Sequence, residues 1–287
     1  EERLEELHRL IERYRAIDIL CPQFLTDQMG VFLHKWRNLV CYLSEYIDMP
    51  LASEVDLANE EKLLRQIHRS VAYFAQTYKN VDLSDTMGMY SLFQLSPFDI
   101  PGGIDEKEEN FNQLINSLIE ENENLLAQSL TNRYSKIRKE LEAIYLKLPR
   151  CVFQGDENFS NILIDEKQHF RGFIDFNLAG TEVIVNQLAN LVSFDYAENE
   201  KNNIGSKFRL DYAVDRFNKQ MSEILHVYHA TEEEIRAMRL YAWIVMVAQW
   251  PILCYFRYCL KSPLRDEFIG LLWLIAELPE HRILDNM

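Results

Sequence analysis

Glycine and proline are scarce, 9 and 8 among 287 residues, well short of what a collagen-like or low-complexity chain requires. Cysteine is equally thin. The five residues, Cys21, Cys41, Cys151, Cys254 and Cys259, are odd in number and form no C-x-x-C pair. That argues against a zinc ribbon or a disulfide framework and predicts reduced thiols in a cytoplasmic protein. Cys254 and Cys259 are five apart, so a helix holding both puts them on different faces. Positive charge is also in short supply: 30 Lys and Arg stand against 45 Asp and Glu, a net −15. Such a field repels phosphate backbones and argues against nucleic acid as a partner. It suits a cationic small molecule, although solubility alone accounts for it equally well.

Long apolar runs are missing too. The longest, YAWIVMVAQWPILCYF at 241–256, is shorter than a membrane span and is interrupted by Gln249 and Pro251. It is expected as a buried helix, with no membrane as a partner, and Trp243, Trp250 and Trp273 are expected in the core. The chain opens on EERLEELHRL, which has no signal-peptide pattern. No G-x-x-x-x-G-K-[ST], G-x-S-x-G or H-E-x-x-H occurs, so P-loop, serine-hydrolase and zinc-protease chemistry have no motif to rest on. His226 and His229 lack a third ligand at metal spacing and are expected as ordinary helix residues.

What is present is an ordinary globular composition, 48% hydrophobic and 26% charged, in a chain long enough for one large domain or two lobes. Leu4, Leu7, Leu10, Ile11 and Tyr14 share one face of a helix over 1–17. GVFLHKWRNLVCYLSEYID at 30–48 has two strand-like halves around Arg37-Asn38 and predicts a hairpin. A connector follows at 48–56, acting as a hinge, then an amphipathic helix over 57–78 and a further helical pattern from about 105 to 147. LSPFDIPGG at 95–103 breaks the two. Beyond residue 181 the chain is again mostly helical, with a loop at EKNNIGSK and with Thr231 capping a helix that begins on three glutamates.

The middle differs. CVFQGDENFSNILIDEKQHFRGFIDF at 151–176 sets a polar loop between apolar strands, then a charged turn and a further strand. Gly, Asp, Asn and Ser favour turns without any chemistry. An EF-hand reading fails, because its sixth and twelfth positions would be Asn161 and Lys167 rather than Gly and Glu. Phosphoryl transfer asks for something else: oxygens to hold Mg²⁺ and a carboxylate to take the proton of the attacking hydroxyl. Asp156 and Asn161, five apart in one loop, with Asp175 nineteen positions after Asp156 across a hairpin, match that need.

QGDENFSNILI and GFIDFN resemble the aminoglycoside phosphotransferase and choline kinase-like family, whose signature is His-Gly-Asp, four residues, Asn, then a downstream Ile-Asp-Phe or Ile-Asp-Trp. The resemblance covers about 30–260. It implies a two-lobed α+β protein kinase-like fold, with a small β-containing lobe at 1–48 and a large helical lobe at 49–287 that holds the catalytic loop and acceptor pocket. It implies Asp156 as catalytic base and Asn161 and Asp175 as Mg²⁺ ligands. Gln154 and Gly155 become supporting residues, and the backbone at Glu45, Tyr46 and Ile47 meets the base of ATP or GTP. The acceptor is then a hydroxyl of a small molecule.

Three departures matter. Gln154 stands where the family has His, in a supporting role. DFN replaces the protein-kinase Asp-Phe-Gly. The family places a nucleotide-covering hairpin and a Lys-bearing strand before the first helix, whereas here no Lys precedes Lys35, so the small lobe is expected to be N-terminally incomplete. Glu5 and Glu6 are both candidates to pair with such a Lys. A nucleotide- or ligand-binding pseudokinase without turnover is the alternative reading.

Overall fold

The computed structural model describes residues 2–81, 105–192, 194–196 and 209–285; the LSPFDIPGG and EKNNIGSK stretches lie outside them. Contacts gather the chain into two compact units. Among the described residues one comprises 2–81 and 150–182, the other 105–149 and 183–285.

The first unit begins with α1 (Glu2–Arg15), in which Leu4, Leu7, Leu10, Ile11 and Tyr14 are all buried, as their spacing requires. Four short strands follow: β1 (Phe24–Leu25), β2 (His34–Trp36), β3 (Leu39–Cys41) and β4 (Leu43–Ser44). β2 and β3 pair antiparallel with Trp36 opposite Leu39, which leaves Arg37-Asn38 as the expected two-residue turn. Arg37 takes φ 59° there, the positive φ such a turn demands. The hairpin is shorter than the 30–48 pattern indicates, because Gly30 adopts φ 79° and residues 31–33 form no ladder. β1 pairs with β4.

α2 (Leu57–Thr77) comes next, and later β5 (Arg150–Phe153), β6 (Ile162–Ile164), β7 (Phe170–Phe173) and β8 (Gly180–Val183). β6 and β7 form the antiparallel pair expected from the apolar runs, with Ile162 opposite Phe173 and Leu163 opposite Gly172. β5 pairs with β8. The connector at 48–56 carries a 3₁₀ turn at Ala52–Glu54 and is bonded to β6, where the Ile164 N–H donates to Pro50 O at 3.0 Å. The Tyr14 ring stacks on Phe74 at 3.8 Å and meets Phe173 and Phe176 edge-on at 5.6 and 5.9 Å, so one aromatic cluster joins α1, α2 and the strand β7.

The second unit is helical: α3 (Glu106–Glu120), α4 (Asn124–Glu142), α5 (Ile184–Leu191), α6 (Leu210–Leu225), α7 (Glu232–Ala248), α8 (Trp250–Leu260) and α9 (Arg265–Glu277). The helical pattern at 105–147 is a helical hairpin, and one expectation, a single buried helix at 241–256, is corrected. Asn122 enters the left-handed region at φ 65° and ends α3, after which Phe111 stacks on Tyr134 at 4.1 Å across the pair. The apolar run at 241–256 is likewise two helices, bent by 44° at Gln249. Gln249 is extended (ψ 135°) and Pro251 occupies the first turn of α8, where its missing N–H costs nothing.

The bend also overturns the placement of Trp250, which is 51% exposed, and Trp273 is only partly covered; Trp243 is fully buried. α7 is buried nearly all round and packs against α3, α4, α5 and α8. Thr231 caps it reciprocally with Glu234: the Glu234 N–H donates to Thr231 Oγ1, and the Thr231 N–H to Glu234 Oε2. Among the described residues no single helix is long and apolar enough to cross a membrane, and α7 with α8 meets that measure only as a bent pair.

All five cysteines are free, with Cys41 and Cys254 exposed and Cys21, Cys151 and Cys259 buried. Burial pushes the thiols of Cys21 and Cys151 up to about 12 and raises that of Cys259, which suppresses the reactive thiolate. Titration of the native protein with an aromatic disulfide reagent is therefore expected to show two fast thiols, rising to five in denaturant. A third fast thiol would contradict the packing of β5, of α8 or of the segment after α1.

Candidate catalytic and metal site

The loop between β5 and β6 is built around its own polar groups. Gly155 adopts φ +84°, and a Cβ there would lie 2.4 Å from Leu178 O, so only glycine allows the two backbones to approach this closely. Asn158 accepts from the Ser160 N–H at 2.9 Å and starts a 3₁₀ turn at Phe159–Asn161. That turn carries Asn161 back toward Asp156. Asn161 Nδ2 donates to Asp156 Oδ2 at 2.8 Å and to Asp156 O at 3.0 Å, while Asn158 Nδ2 donates to Asp156 Oδ1 at 2.7 Å. Both carboxylate oxygens are thereby oriented. Asp156 is half-buried and Asn161 buried.

Asp175 reaches the same place through backbone and side-chain bonds. The Ile174 N–H donates to Asn161 O at 2.9 Å, continuing the β6–β7 ladder to the residue before Asp175. Gln154, fully buried, spans the two halves. Its Nε2 donates to Ile174 O at 2.9 Å and to Asp175 O at 2.6 Å, and its Oε1 accepts the Asp156 N–H at 2.7 Å. A carboxamide supplies two donors and an acceptor at once, a set that a single neutral imidazole cannot match. Asp175 itself sits at φ 56°, an infrequent conformation for a non-glycine residue. Its Oδ1 accepts from the Asn177 N–H at 3.2 Å, which steadies the turn. Asp156, Asn161, Asp175, Gln154 and Gly155 are thus held together in the first unit.

The donor set is made of hard oxygens. Asn161 spends its amide nitrogen on Asp156, which leaves its amide oxygen for a cation, and Asp175 contributes a carboxylate on an exposed turn. Among the described residues no group of three or more His, Cys, Asp or Glu is arranged for a metal. One Asp and one Asn fit Mg²⁺, which retains waters and phosphate oxygens and needs few protein ligands. They do not fit zinc.

Just after β4, Glu45 is already engaged. Its N–H donates to Gln23 O at 2.8 Å, and its Oε2 accepts from the Gln23 N–H at 3.0 Å and from Arg15 Nη1 at 3.1 Å. Tyr46 is 89% exposed. Ile47 O accepts from the Met49 N–H at 3.1 Å. In α1, Glu6 is buried whereas Glu5 is exposed, so Glu6 is the acid turned inward.

The acids that follow Asp175 in the chain divide. Asp195 pairs with Arg216 at 2.7 Å and Asp211 with Arg209 at 3.0 Å. Glu182 is buried, Asp215 is exposed, and Glu198 lies outside the described residues.

Sequence reasoning missed two further residues. Tyr14, fully buried, accepts the Gln154 N–H at its Oη over 3.1 Å, and Arg3 Nη2 donates to Ala179 O at 2.6 Å. Tyr14 was visible only as one more apolar position on the α1 stripe.

Comparison with known proteins places the chain in a family. The model of the phosphotransferase enzyme family matches residues 1–237. Among solved structures, the chain is similar to a microcompartment-associated aminopropanol kinase, with a TM-score of 0.56 at 12% identity over 98% of this chain and 81% of that one. It is also similar to an aminoglycoside phosphotransferase from Alicyclobacillus acidocaldarius (TM-score 0.49, 13% identity, 96% and 83% covered). A third is an aminoglycoside phosphotransferase from Streptomyces rimosus in complex with ADP and streptomycin (TM-score 0.44, 15% identity, 86% and 82% covered). No curated protein matches by sequence. The likeness to the aminopropanol kinase bears on fold alone, and the fold is the two-lobed α+β protein kinase-like one.

Proposed function

Since this chain belongs to the phosphotransferase enzyme family and is a small-molecule kinase, we propose that it transfers the γ-phosphoryl group of ATP or GTP to a hydroxyl of a small metabolite or aminoglycoside-like acceptor, in the cytoplasm. Asp156 takes the hydroxyl proton as the acceptor oxygen bonds to the γ-phosphorus and the bond to the β-phosphate oxygen breaks, releasing ADP or GDP. Asn161 and Asp175 hold Mg²⁺, which when bound supplies neutralisation of the phosphate charge. Gln154 keeps Asp156 and Asp175 in register, Gly155 lets the loop close, and Tyr46 and Ile47 offer backbone to the base, with Glu45 bracing them. Residues 1–48 form the nucleotide-facing lobe and 49–287 the lobe with the acceptor pocket, a division by ligand that is separate from the two compact units. The net charge of −15 favours a cationic acceptor.

The observation that carries this reading is the Asn161 Nδ2–Asp156 Oδ2 bond at 2.8 Å, which orients a base and a metal ligand against each other, tied by Gln154 to Asp175. Thermal unfolding tests the nucleotide part. At a hundredfold excess over its dissociation constant a ligand stabilises by about 2.7 kcal/mol, so Mg-ATP or Mg-GTP is expected to raise Tm by several degrees. The absence of a shift with both would overturn the proposal. A screen of hydroxylated amines and amino sugars for ADP or GDP release then identifies the acceptor; binding without turnover on any of them returns the pseudokinase.

A further inference from the structure

We propose that α1 sets the spacing between the two halves of the reaction centre, with Tyr14 and Arg3 as its positioning residues; this rests on the roles given above to Asp156 and Asp175. Near the end of α1, Tyr14 Oη accepts the Gln154 N–H at 3.1 Å, two residues before Asp156. Near its start, Arg3 Nη2 donates to Ala179 O at 2.6 Å, four residues after Asp175. The eleven residue steps from Arg3 to Tyr14 make about 16 Å of helix, so one rigid element carries both anchors, whose side chains reach onto backbones that meet where Gly155 approaches Leu178 O. Gln154 Nε2 on Asp175 O, at 2.6 Å, closes the circuit. The catalytic loop and the Asp175 turn are therefore tied directly to each other and again through α1.

Each anchor is built for constancy. The Tyr14 ring is wedged between Phe74 on one side and Phe173 and Phe176 on the other, and Phe176 adjoins Asp175. Burial raises the Tyr14 phenol well above its ordinary value, reinforced by the charge of Glu157, so it stays neutral throughout the working pH range. Arg3 is set against its own comfort. Burial lowers its affinity for a proton and the charge of Glu6 opposes this, and among the described residues its Nη1 has no hydrogen-bond partner. Its Nη2 bond to Ala179 O fixes the far side of the Asp175 turn.

The test uses Tyr14→Phe, Arg3→Met and Arg3→Lys in the full chain, with three readouts. These are Mn²⁺ binding in the presence of ADP by electron paramagnetic resonance, the Mg²⁺ concentration for half-maximal nucleotide turnover, and Tm. Tyr14→Phe and Arg3→Met are expected to weaken Mn²⁺–ADP binding about tenfold, the low end of what disturbing the groups behind a metal ligand costs. The half-saturating Mg²⁺ rises in parallel. Arg3→Lys, which keeps a cationic donor, recovers most of the affinity. Unchanged Mn²⁺–ADP affinity in Tyr14→Phe and Arg3→Met, with only Tm lowered, would show α1 to be structural packing and overturn the inference. If Tyr14→Phe does not fold, the Arg3→Met and Arg3→Lys pair decides alone. If the parent protein binds no Mn²⁺–ADP, the functional reading fails, and the inference with it.

Discussion

Asp156→Asn is expected to slow nucleotide-dependent phosphoryl transfer by roughly a hundred- to ten-thousand-fold, the span that a positioned general base contributes. The substitution is nearly isosteric and leaves the loop framework in place. Gly155 keeps its positive φ, and the backbone bond from residue 156 to Gln154 Oε1 does not depend on the side chain. What is lost is the second carboxylate oxygen. In the parent, Oδ1 accepts from Asn158 and Oδ2 from Asn161; an amide accepts only one of these and turns its own N–H₂ toward the other donor. The cost in stability is about 1 kcal/mol, one hydrogen bond, far smaller than the effect on rate. Mn²⁺–ADP affinity is expected to change little, because the two metal ligands remain. The check is ADP or GDP release under single-turnover conditions with a saturating acceptor. Equal rates in parent and variant would remove Asp156 from its role.

The second large effect is on stability. Gly172→Ala is expected to cost about 3–5 kcal/mol and to lower Tm by roughly 6–10 °C. Gly172 lies in β7 opposite Leu163, and on its other side Leu20 forms a parallel bridge with it. A Cβ at this position would lie 1.7 Å from Leu20 O and 2.8 Å from Leu20 Cα. Those are backbone atoms, so no rotamer relieves the clash and the segment after α1 must move off the sheet. It would lose the Leu20 N–H bond to Arg171 O and the Phe173 N–H bond to Leu20 O, at 2.8 and 2.9 Å. Two backbone bonds at about 1 kcal/mol each, plus an overpacking term of about 1–3 kcal/mol, give the expected sum. Gly270 is the internal control. It is exposed within α9 and a Cβ there meets nothing within 4 Å, so Gly270→Ala should be neutral or stabilise by up to about 1 kcal/mol. Similar Tm values for the two variants would mean that residues 19–21 do not lie against β7.

The loop between β5 and β6 was legible in the sequence because its chemistry is local. Five positions separate Asp156 from Asn161, and a strand, a 3₁₀ turn and a second strand can bring them together without help from elsewhere. The α1 stripe was legible for the same reason, since a period of 3.6 places Leu4, Leu7, Leu10, Ile11 and Tyr14 on one face whatever they meet. Glu6 was not. It lies four residues before Leu10 on the buried side, but hydrophobic periodicity gives no reason to place a carboxylate there. The bend at Gln249 escaped because apolarity continues through it; Pro251 is acceptable in a first turn, and only the extended backbone at Gln249 exposes Trp250.

By itself, then, the sequence determined the family, most of the helices, the central β6–β7 pair and the residues of the central loop, all of which follow from short-range spacing and from side-chain chemistry. The tertiary structure alone decided how Asp175 is joined to that loop through Gln154, why residue 155 must be glycine, which of Glu5 and Glu6 is buried, and that α1 holds both halves. Tyr14 meets Gln154 across 140 positions and Arg3 meets Ala179 across 176. Contacts at such separations arise only when the whole chain has packed, because no local periodicity encodes which backbone group a buried phenol or guanidinium will find.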